Sequence, residues 1–440
     1  MRRRETARTA TGRLLRGGLT LRILAAAVGT LMAVAAAEVA HRIFFAVRDI
    51  RWVSHPEYRL MSAAYGQFDA QFGQRFIPGS HLEMTLVRDG RAVWCAGTIA
   101  SANEDGLGGR DTLASFQRAE LCLLTTGDSF THRQQKGLTI PDVIADEVTD
   151  RTGLKTANLN FGRGGYGVLH MLSIAAAKAA ALSPDVVIIE FISNDLARGR
   201  WWTREAVIDG RTRAQVSSAP DGFDDPKLTN DEYAVDPRAT AEFCARVVAA
   251  GGDDPVIREA NAFFRNYRKW KQLDRDPLSL RDLYLVGFVR RRLTGVNPNA
   301  EALLPLVDAR RFAADIGFRE SARALRDSSA AVVLVHLPVP EELAAGRPLL
   351  DRESSAIWTE VERGLGTRAR TFWTVTNPPE PPAKIDQAPF DAHPNFDGLR
   401  FYGDYVARVI LEDPRVRNAV TRAQRRQASA QSVNTTATVR

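Results

Sequence analysis

The sequence LCLLTTGDSFT, residues 121–131, is an apolar run that stops abruptly at Gly127, Asp128 and Ser129. A short apolar run bounded by turn-forming residues is typical of a buried strand. In an open parallel α/β sheet, ligands bind outside the carboxyl ends of the strands, so a serine at this position is well placed to be a nucleophile. The alternative is that Asp128 and Ser129 cap the following helix, and this stretch alone fits both interpretations.

The segments on either side of this stretch alternate between predicted strands and predicted helices. The third strand is apolar on both faces, as parallel strands covered by two helical layers are. The alternation predicts an α/β fold with a parallel sheet and right-handed crossovers. Strands are predicted over residues 121–126, 155–161, 185–191, 330–337 and 370–375, and helices over residues 140–149, 167–182, 308–327 and 354–364, with a last helix that ends near residue 411.

The composition is that of a globular protein whose basic charge is concentrated at its two ends. Of the 440 residues, 45% are hydrophobic and 25% are charged, and the net charge is +7. Residues 1–18 carry +5 and residues 414–440 carry +6, which leaves −4 for the residues between them. Because the basicity lies in the tails, a nucleic-acid surface is not supported. Cys95, Cys122 and Cys244 are too few and too scattered for a disulfide framework or a zinc site.

An apolar segment follows the basic amino terminus. Residues 23–40 are 18 nearly unbroken apolar positions, the lower limit for crossing a bilayer at ~1.5 Å per residue. The arginines before it predict a cytoplasmic tail over residues 1–22, a transmembrane anchor over residues 23–47 and an extracytoplasmic remainder at the cytoplasmic (inner) membrane. Two alternatives stay open: a signal peptide cleaved near the small residues 35–37, and a buried helix of a soluble protein.

Three further segments frame the α/β core. Residues 48–119 are predicted to form a β-rich lead-in with a hairpin at Asp89-Gly90. Residues 197–320 interrupt the alternation as a large insertion with helical stretches and a hairpin at Asp209-Gly210. This insertion is either a lid or substrate platform beside the site, or a structural embellishment. Residues 414–440 have little apolar content and are predicted to be a disordered basic tail.

Three of the loops that follow predicted strands each carry a candidate site residue. Ser129 lies in the first loop. The second loop, NFGRGGYG over residues 160–167, has four glycines whose backbone N–H groups can stabilise negative charge at the start of a helix. The third holds Asn194, whose side-chain amide can donate to an oxyanion. The structural alternatives are tight helix–strand packing for the glycines and capping for Asn194.

A catalytic serine needs a base, because a free hydroxyl is a weak nucleophile at neutral pH. Among the seven histidines, His393 is the one in the α/β core that has a carboxylate, Asp391, within two residues. Residues i and i+2 of an extended chain point to the same side, so Asp391 could fix the tautomer of the His393 imidazole. Three other histidines near the core have no such neighbour: His132, His170 and His336.

In order and spacing, these four segments resemble the sequence blocks of the SGNH hydrolases, also called GDSL-type esterases and lipases. The resemblance implies that Ser129 is the nucleophile, with His393 as the base and Asp391 as the acid. It also implies an oxyanion hole made of the N–H groups of Ser129 and Gly165 and the side-chain amide of Asn194.

Two features depart from the pattern of that family. Ile192 stands where the family usually has a glycine two positions before the asparagine. A single residue separates Asp391 from His393, where the family often has two. Asp386 and Asp397 are therefore the alternative acids.

The resemblance covers residues 120–195 and 325–412 of a domain predicted over residues 120–413. It implies a three-layer α/β/α sandwich with a five-stranded parallel sheet, the flavodoxin-like fold of the family. It also implies a serine esterase without metal or organic cofactor that hydrolyses an O-acyl ester, expected to be an acetyl ester on a cell-envelope polysaccharide. The alternatives are an O-acyltransferase with the same serine and histidine, and a non-catalytic envelope protein that binds glycan through the aromatic residues of the insertion.

Overall fold

A computed structural model describes residues 26, 28–30, 32–37, 39–40, 59–61, 66–88, 91–208, 211–223, 227–228, 306–387 and 391–438. The chain divides into two compact units, one of residues 1–55 and 262–295 and one of residues 56–261 and 296–440. The described residues of the first unit are helical. Among the described residues, no helix is long and apolar enough to span a bilayer. The predicted tail over residues 1–22 and most of the predicted anchor lie outside them.

All described strands belong to the second unit, and most of them are short. Their bounds are β1 Arg59–Met61, β2 Gly66–Asp69, β3 Gly73–Phe76, β4 His81–Arg88, β5 Arg91–Ser101, β6 Leu121–Thr126, β7 Thr156–Asn160, β8 Val186–Phe191, β9 Trp202–Ile208, β10 Arg211–Ser217, β11 Lys227–Leu228, β12 Ala331–His336, β13 Asp386–Gln387 and β14 Asp391–Pro394.

The described helices of this unit lie mostly between the strands of the parallel sheet or after them. Their bounds are α1 Leu113–Gln117, α2 Ser129–His132, α3 Ile140–Thr152, α4 Val168–Leu182, α5 Ala309–Ala314, α6 Ile316–Asp327, α7 Pro340–Ala345, α8 Arg352–Leu365, α9 Phe396–Glu412 and α10 Pro414–Thr438.

The central sheet has four parallel strands in the order β12-β8-β6-β7. At its edge, Arg370 makes one parallel bridge to Val335 of β12. A 3₁₀ turn over Phe372–Thr374 follows at once, in which Thr371 N–H donates to Thr374 Oγ1 at 3.0 Å. The strand predicted over residues 370–375 is reduced to this bridge, since the chain enters the 3₁₀ turn directly after it.

Successive residues of the sheet strands face two different apolar layers. Leu124 and Val187 pack with α4, α6 and α8 on one face. Leu123 and Ile188 pack with α3, α9 and α10 on the other. Helices therefore cover both faces of the sheet, as strands that are apolar on both sides require. This part of the structure confirms the predicted α/β class with a parallel sheet.

The basic C-terminal segment is a helix, so the prediction of a disordered tail over residues 414–440 is wrong for Pro414–Thr438. Val416, Ala419, Val420 and Ala423 recur at helical spacing and are buried against the core. The mean composition of the segment does not reveal this stripe, because it consists of only a few apolar side chains among many polar ones. These few are nevertheless enough to pack the helix against the domain.

The single helix predicted over residues 308–327 is two helices, α5 and α6. Asp308 caps the first, since its Oδ1 accepts from Arg311 N–H at 2.8 Å. Asp315 has an extended backbone, and its Oδ1 accepts from Phe318 N–H at 2.7 Å. Aspartate breaks the helix here because its side chain satisfies the free N–H groups of a new helix start.

Both predicted Asp-Gly hairpins lie between paired antiparallel strands. Arg88 of β4 pairs with Arg91 of β5, and Ile208 of β9 pairs with Arg211 of β10. The turn residues 89–90 and 209–210 lie outside the described residues. Residues 229–305, the larger part of the predicted insertion, lie outside them as well, so its interpretation as a lid or platform stays a prediction.

Candidate active site

Ser129 follows β6 on a tight turn. A Cβ on Gly127 would lie 1.9 Å from Thr131 Oγ1, so a side chain at this position cannot fit. Asp128 caps α2, because its Oδ1 accepts from Phe130 N–H at 2.8 Å. Ser129 is the first residue of α2, where a backbone N–H has no partner within the helix. The capping interpretation and the catalytic one are therefore compatible: Asp128 is the cap, and Ser129 stands next to it at the end of the strand.

The imidazole of His393 lies next to Ser129, although His393 comes near the end of the domain in the sequence. Its Nε2 lies 2.7 Å from Ser129 Oγ, within the reach that a nucleophile and its base require. The ring of Phe130 lies 5.5 Å from the imidazole, centroid to centroid. Asn395, two residues on, caps α9 by accepting from Gly398 N–H at 2.7 Å. The predicted pairing of serine and histidine is thus present. Each partner lies next to a helix cap, Asp128 beside the serine and Asn395 beside the histidine.

Asp391 lies in the same short strand, β14, two positions before His393. Since residues i and i+2 of a strand share a face, this position agrees with the predicted pairing of the two residues without testing it. The Asp391 side chain lies outside the described residues, and its role as the acid stays a prediction. Of the alternative acids, Asp386 pairs with Pro394 across β13 and β14, and Asp397 is exposed in the first turn of α9.

The glycine loop after β7 lies against the Ser129 turn. Arg163 N–H donates to Gly127 O at 3.0 Å, and a Cβ on Gly164 would lie 3.9 Å from Ser129 Cβ. Gly165 has a φ of +79°, which glycine adopts without strain. Among the described residues, the N–H groups of Gly164 and Gly165 meet no acceptor. Backbone N–H groups without an acceptor can donate hydrogen bonds to an oxyanion.

Asn194 follows β8, the strand next to β6, in a 3₁₀ turn over Ser193–Asp195. Ile192 N–H closes this turn by donating to Asp195 Oδ2 at 2.9 Å. The Asn194 side chain is exposed, and no other described residue accepts a hydrogen bond from it. The structure therefore puts Asn194 at the same edge of the sheet as Ser129.

A buried histidine and a buried glutamate hold the other side of the Asn194 turn. Ser193 Oγ lies 2.5 Å from Glu342 Oε1 and 3.1 Å from His336 Nε2. Burial alone would raise the pKa of Glu342, but hydrogen bonds from His336 and Ser193 outweigh it and lower that pKa. Glu342 Oε2 also lies 3.3 Å from His336 Nε2. A catalytic triad would have serine and acid on opposite ring nitrogens, so this cluster anchors the turn instead.

The guanidinium of Arg198 contacts all three loops at this edge of the sheet. Its Nη1 lies 2.5 Å from Asp195 Oδ1 and 3.6 Å from Asp128 Oδ2. It also donates to Tyr166 O, in the glycine loop, at 3.3 Å. Burial and the nearby Asp128 both raise the pKa of Asp195. The Arg198 guanidinium therefore lies next to two buried carboxyl groups, those of Asp128 and Asp195, that also interact with each other.

Glu190 is a buried acid in the otherwise apolar strand β8. Its Oε2 accepts from Thr131 Oγ1 at 2.7 Å, and its Oε1 is buried without a partner among the described residues. Burial raises the pKa of Glu190 to about 8. The carboxyl group is therefore mostly protonated at neutral pH, and the hydroxyl of Thr131 links it to the helix that carries Ser129.

Sequence reasoning missed Arg198, Glu190 and Glu342. The available signal was a polar residue inside or at the end of an apolar strand, as at Glu190 and His336. A search for carboxylates within two residues of a histidine excludes His336, whereas Glu342 reaches it from α7. Contacts of this kind depend on the packing of elements rather than on spacing along the chain.

Within the described parts of the chain, no group of His, Cys, Asp and Glu side chains is arranged to hold a metal ion. Comparison with known protein families gives no matching family model, and comparison with curated proteins gives no match. The function is therefore argued from the geometry of the site.

Proposed function

We propose that the protein is a serine-dependent carboxylic ester hydrolase of the SGNH type. The observation that carries the proposal is the 2.7 Å contact between Ser129 Oγ and His393 Nε2 at the carboxyl edge of a parallel sheet. The uncommitted N–H groups of the adjacent glycine loop support it, because acyl transfer needs donors next to the nucleophile. The resemblance implies a parallel sheet of five strands, of which the structure has four, with the single Arg370 bridge at the edge beside β12.

The proposed reaction is acyl transfer through the serine. His393 Nε2 takes the hydroxyl proton as Ser129 Oγ forms a bond to the ester carbonyl carbon. The bond from that carbon to the alcohol oxygen breaks, and the alcohol leaves with the proton from His393. Water then attacks the acyl-enzyme, gives its proton to His393 and releases the acid as Ser129 recovers its hydrogen. Asp391 would hold the imidazole in the tautomer that this cycle needs.

The tetrahedral oxyanion would be held by the N–H groups of Ser129 and Gly165 and by the side-chain amide of Asn194. Removal of one such donor typically costs ~2.7–4 kcal/mol of transition-state stabilisation. We extend the proposal to an extracytoplasmic site of action, on the basis of the arginines and the apolar run at the amino terminus.

Steady-state hydrolysis of p-nitrophenyl acetate by the full chain tests the proposal. We expect turnover by the wild type and its loss in Ser129→Ala. Ser173→Ala is the matched control, because Ser173 is a half-buried helical serine on α4 away from the site. Absence of turnover in the wild type, or equal turnover in Ser129→Ala, would contradict an esterase.

The acyl group and its destination need separate measurements. A series of p-nitrophenyl esters of increasing chain length tests the expectation of an acetyl ester, which predicts the highest kcat/KM for acetate. Inclusion of a soluble polysaccharide acceptor distinguishes hydrolysis from transfer. Acetyl groups recovered on the polysaccharide instead of as free acetate would identify an O-acyltransferase that uses the same serine.

A further inference from the structure

We propose that Arg198 is a positioning residue that holds the three loops of the oxyanion hole in one arrangement, an inference that rests on the proposed esterase function. Its guanidinium meets Asp128 in the loop after β6, Tyr166 in the loop after β7 and Asp195 in the turn after β8. Each of these three loops contributes a different group to the proposed oxyanion hole.

The contacts of Arg198 lie directly beside the proposed donors. Asp128 precedes Ser129, and Asp195 follows Asn194. Tyr166, whose carbonyl accepts from Arg198, follows Gly165. A shift of the guanidinium would therefore move the neighbour of each donor.

The main chain of Arg198 is fixed as closely as its side chain. A Cβ on Gly167 would lie 2.6 Å from Arg198 Cβ, so the glycine loop and the start of the insertion are in close contact. Arg198 also bridges to Leu306, and Val307 N–H donates to Ala197 O at 2.8 Å. Arg198 thus stands where the chain leaves the sheet for the insertion and where it returns.

An arginine suits this position because its planar group can donate in several directions at once. Asp128 and Asp195 have side chains that are 1% and 0% exposed, while that of Arg198 is 16% exposed. Removal of the guanidinium would take away the partner that both carboxyl groups share with the carbonyl of Tyr166, so the three loops would lose this common contact. Displacement of about 1 Å in a catalytic arrangement can lower the rate by roughly 10²-fold.

The test compares kcat and KM for p-nitrophenyl acetate in the wild type and three variants of the full chain. In Arg198→Met we expect kcat to fall by roughly 10²-fold with KM unchanged, since the donors act on the transition state. The kcat of Arg198→Lys should lie between those of the wild type and Arg198→Met. An ammonium group can pair with one carboxylate, but it lacks the planar set of N–H groups with which a guanidinium reaches several partners.

Arg200→Met is the matched control and should have the wild-type kcat. Arg200 has a side chain that is 22% exposed and lies 3.4 Å from Asp315, so this change also removes a partly buried ion pair close by in the chain. Thermal unfolding checks that each variant folds. If Arg198→Met does not fold, Arg198→Met combined with Asp195→Asn leaves a single buried carboxyl group at this position. Its kcat should still lie below that of the wild type, because the contacts to Asp128 and to Tyr166 O are lost. A wild-type kcat in this folded double variant would overturn the role of Arg198.

The outcomes separate the two proposals. A wild type that does not hydrolyse the ester contradicts the esterase function, and the inference fails with it. A folded Arg198→Met protein with the wild-type kcat contradicts the role of Arg198 alone, as would an equal loss in Arg200→Met. A rise in KM at constant kcat would also overturn the role, because it would indicate a substrate contact rather than positioning.

Discussion

Ser129 Oγ and His393 Nε2 lie 2.7 Å apart, although 264 positions of the chain separate the two residues. The strand β6 and the cap at Asp128 fix the serine, and β14 and the cap at Asn395 fix the histidine. Because both partners stand on segments held by hydrogen bonds of their own, the pair is formed by the fold and does not depend on a substrate.

This relationship predicts the effect of removing the imidazole. His393→Asn should lower kcat for p-nitrophenyl acetate by roughly 10²–10⁴-fold, the usual contribution of a positioned base. His81→Asn, at an exposed position of β4, should keep the wild-type kcat. Retention of full activity in folded His393→Asn would mean that another group takes the proton of Ser129.

A comparison of three single substitutions tests which carboxylate orients His393. Asp391→Asn should lower kcat by up to about 10⁴-fold, because loss of the acid leaves the imidazole in the wrong tautomer. Asp386→Asn and Asp397→Asn, at the two alternative positions, should have little effect. A larger loss in either of these than in Asp391→Asn would reassign the acid.

The sequence was sufficient where spacing along the chain determines geometry. The apolar run before Gly127 predicted the strand over residues 121–126, with the bounds that the structure has. The carboxylate two residues before His393, taken with the pattern of the other three segments, predicted the partner of Ser129. Local structure explains the differences: the cap at Asp315 starts a new helix, and a 3₁₀ turn follows Arg370 after one bridge.

The sequence was insufficient where a contact joins elements that are distant in the chain. Arg198 and Glu342 are ordinary charged residues in the sequence, and their roles depend on how β8, α7 and the loops pack together. The helix at Val416 was missed for a related reason. Its apolar stripe is too sparse for a composition argument and becomes apparent when the core beneath it is known.

The exposed amide of Asn194 should be needed for the reaction. Asn194→Ala is expected to lower kcat by roughly 10²–10³-fold with KM little changed, the typical loss for one oxyanion donor. Ser193→Ala should give a smaller loss, since it removes the hydroxyl that ties the turn to His336. Asn377→Ala, at another exposed asparagine, is the control. Equal kcat in Asn194→Ala and the control would remove this residue from the oxyanion hole.

The C-terminal helix should contribute to the stability of the domain. Val416 is fully buried against the core, whereas Arg417, next to it, is exposed. Val416→Ala should lower the free energy of unfolding by about 1.5–3 kcal/mol, from lost apolar burial and the cavity left behind. Arg417→Ala should change it little. Urea unfolding of both variants gives the comparison, and equal stability would mean that the helix is not held by this stripe.

Glu190 should make the stability of the protein depend on pH. The pKa of this carboxyl is about 8 in the folded protein, against an ordinary value of 4.5. Between these values the folded state keeps a proton that the unfolded state has lost. The free energy of unfolding should therefore fall as pH rises through this window, by up to about 1.4 kcal/mol per pH unit from this group.

Glu190→Gln removes the titrating group and keeps an acceptor for the hydroxyl of Thr131. Urea unfolding at pH 5 and at pH 8 should show a smaller loss of stability in this variant than in the wild type. Glu320→Gln, at an exposed glutamate on α6, should lose as much as the wild type does. If Glu190→Gln matches the wild type at both pH values, the buried carboxyl holds no extra proton in the folded state. A larger loss in Glu190→Gln would instead mean that the carboxylate is stabilised where it lies.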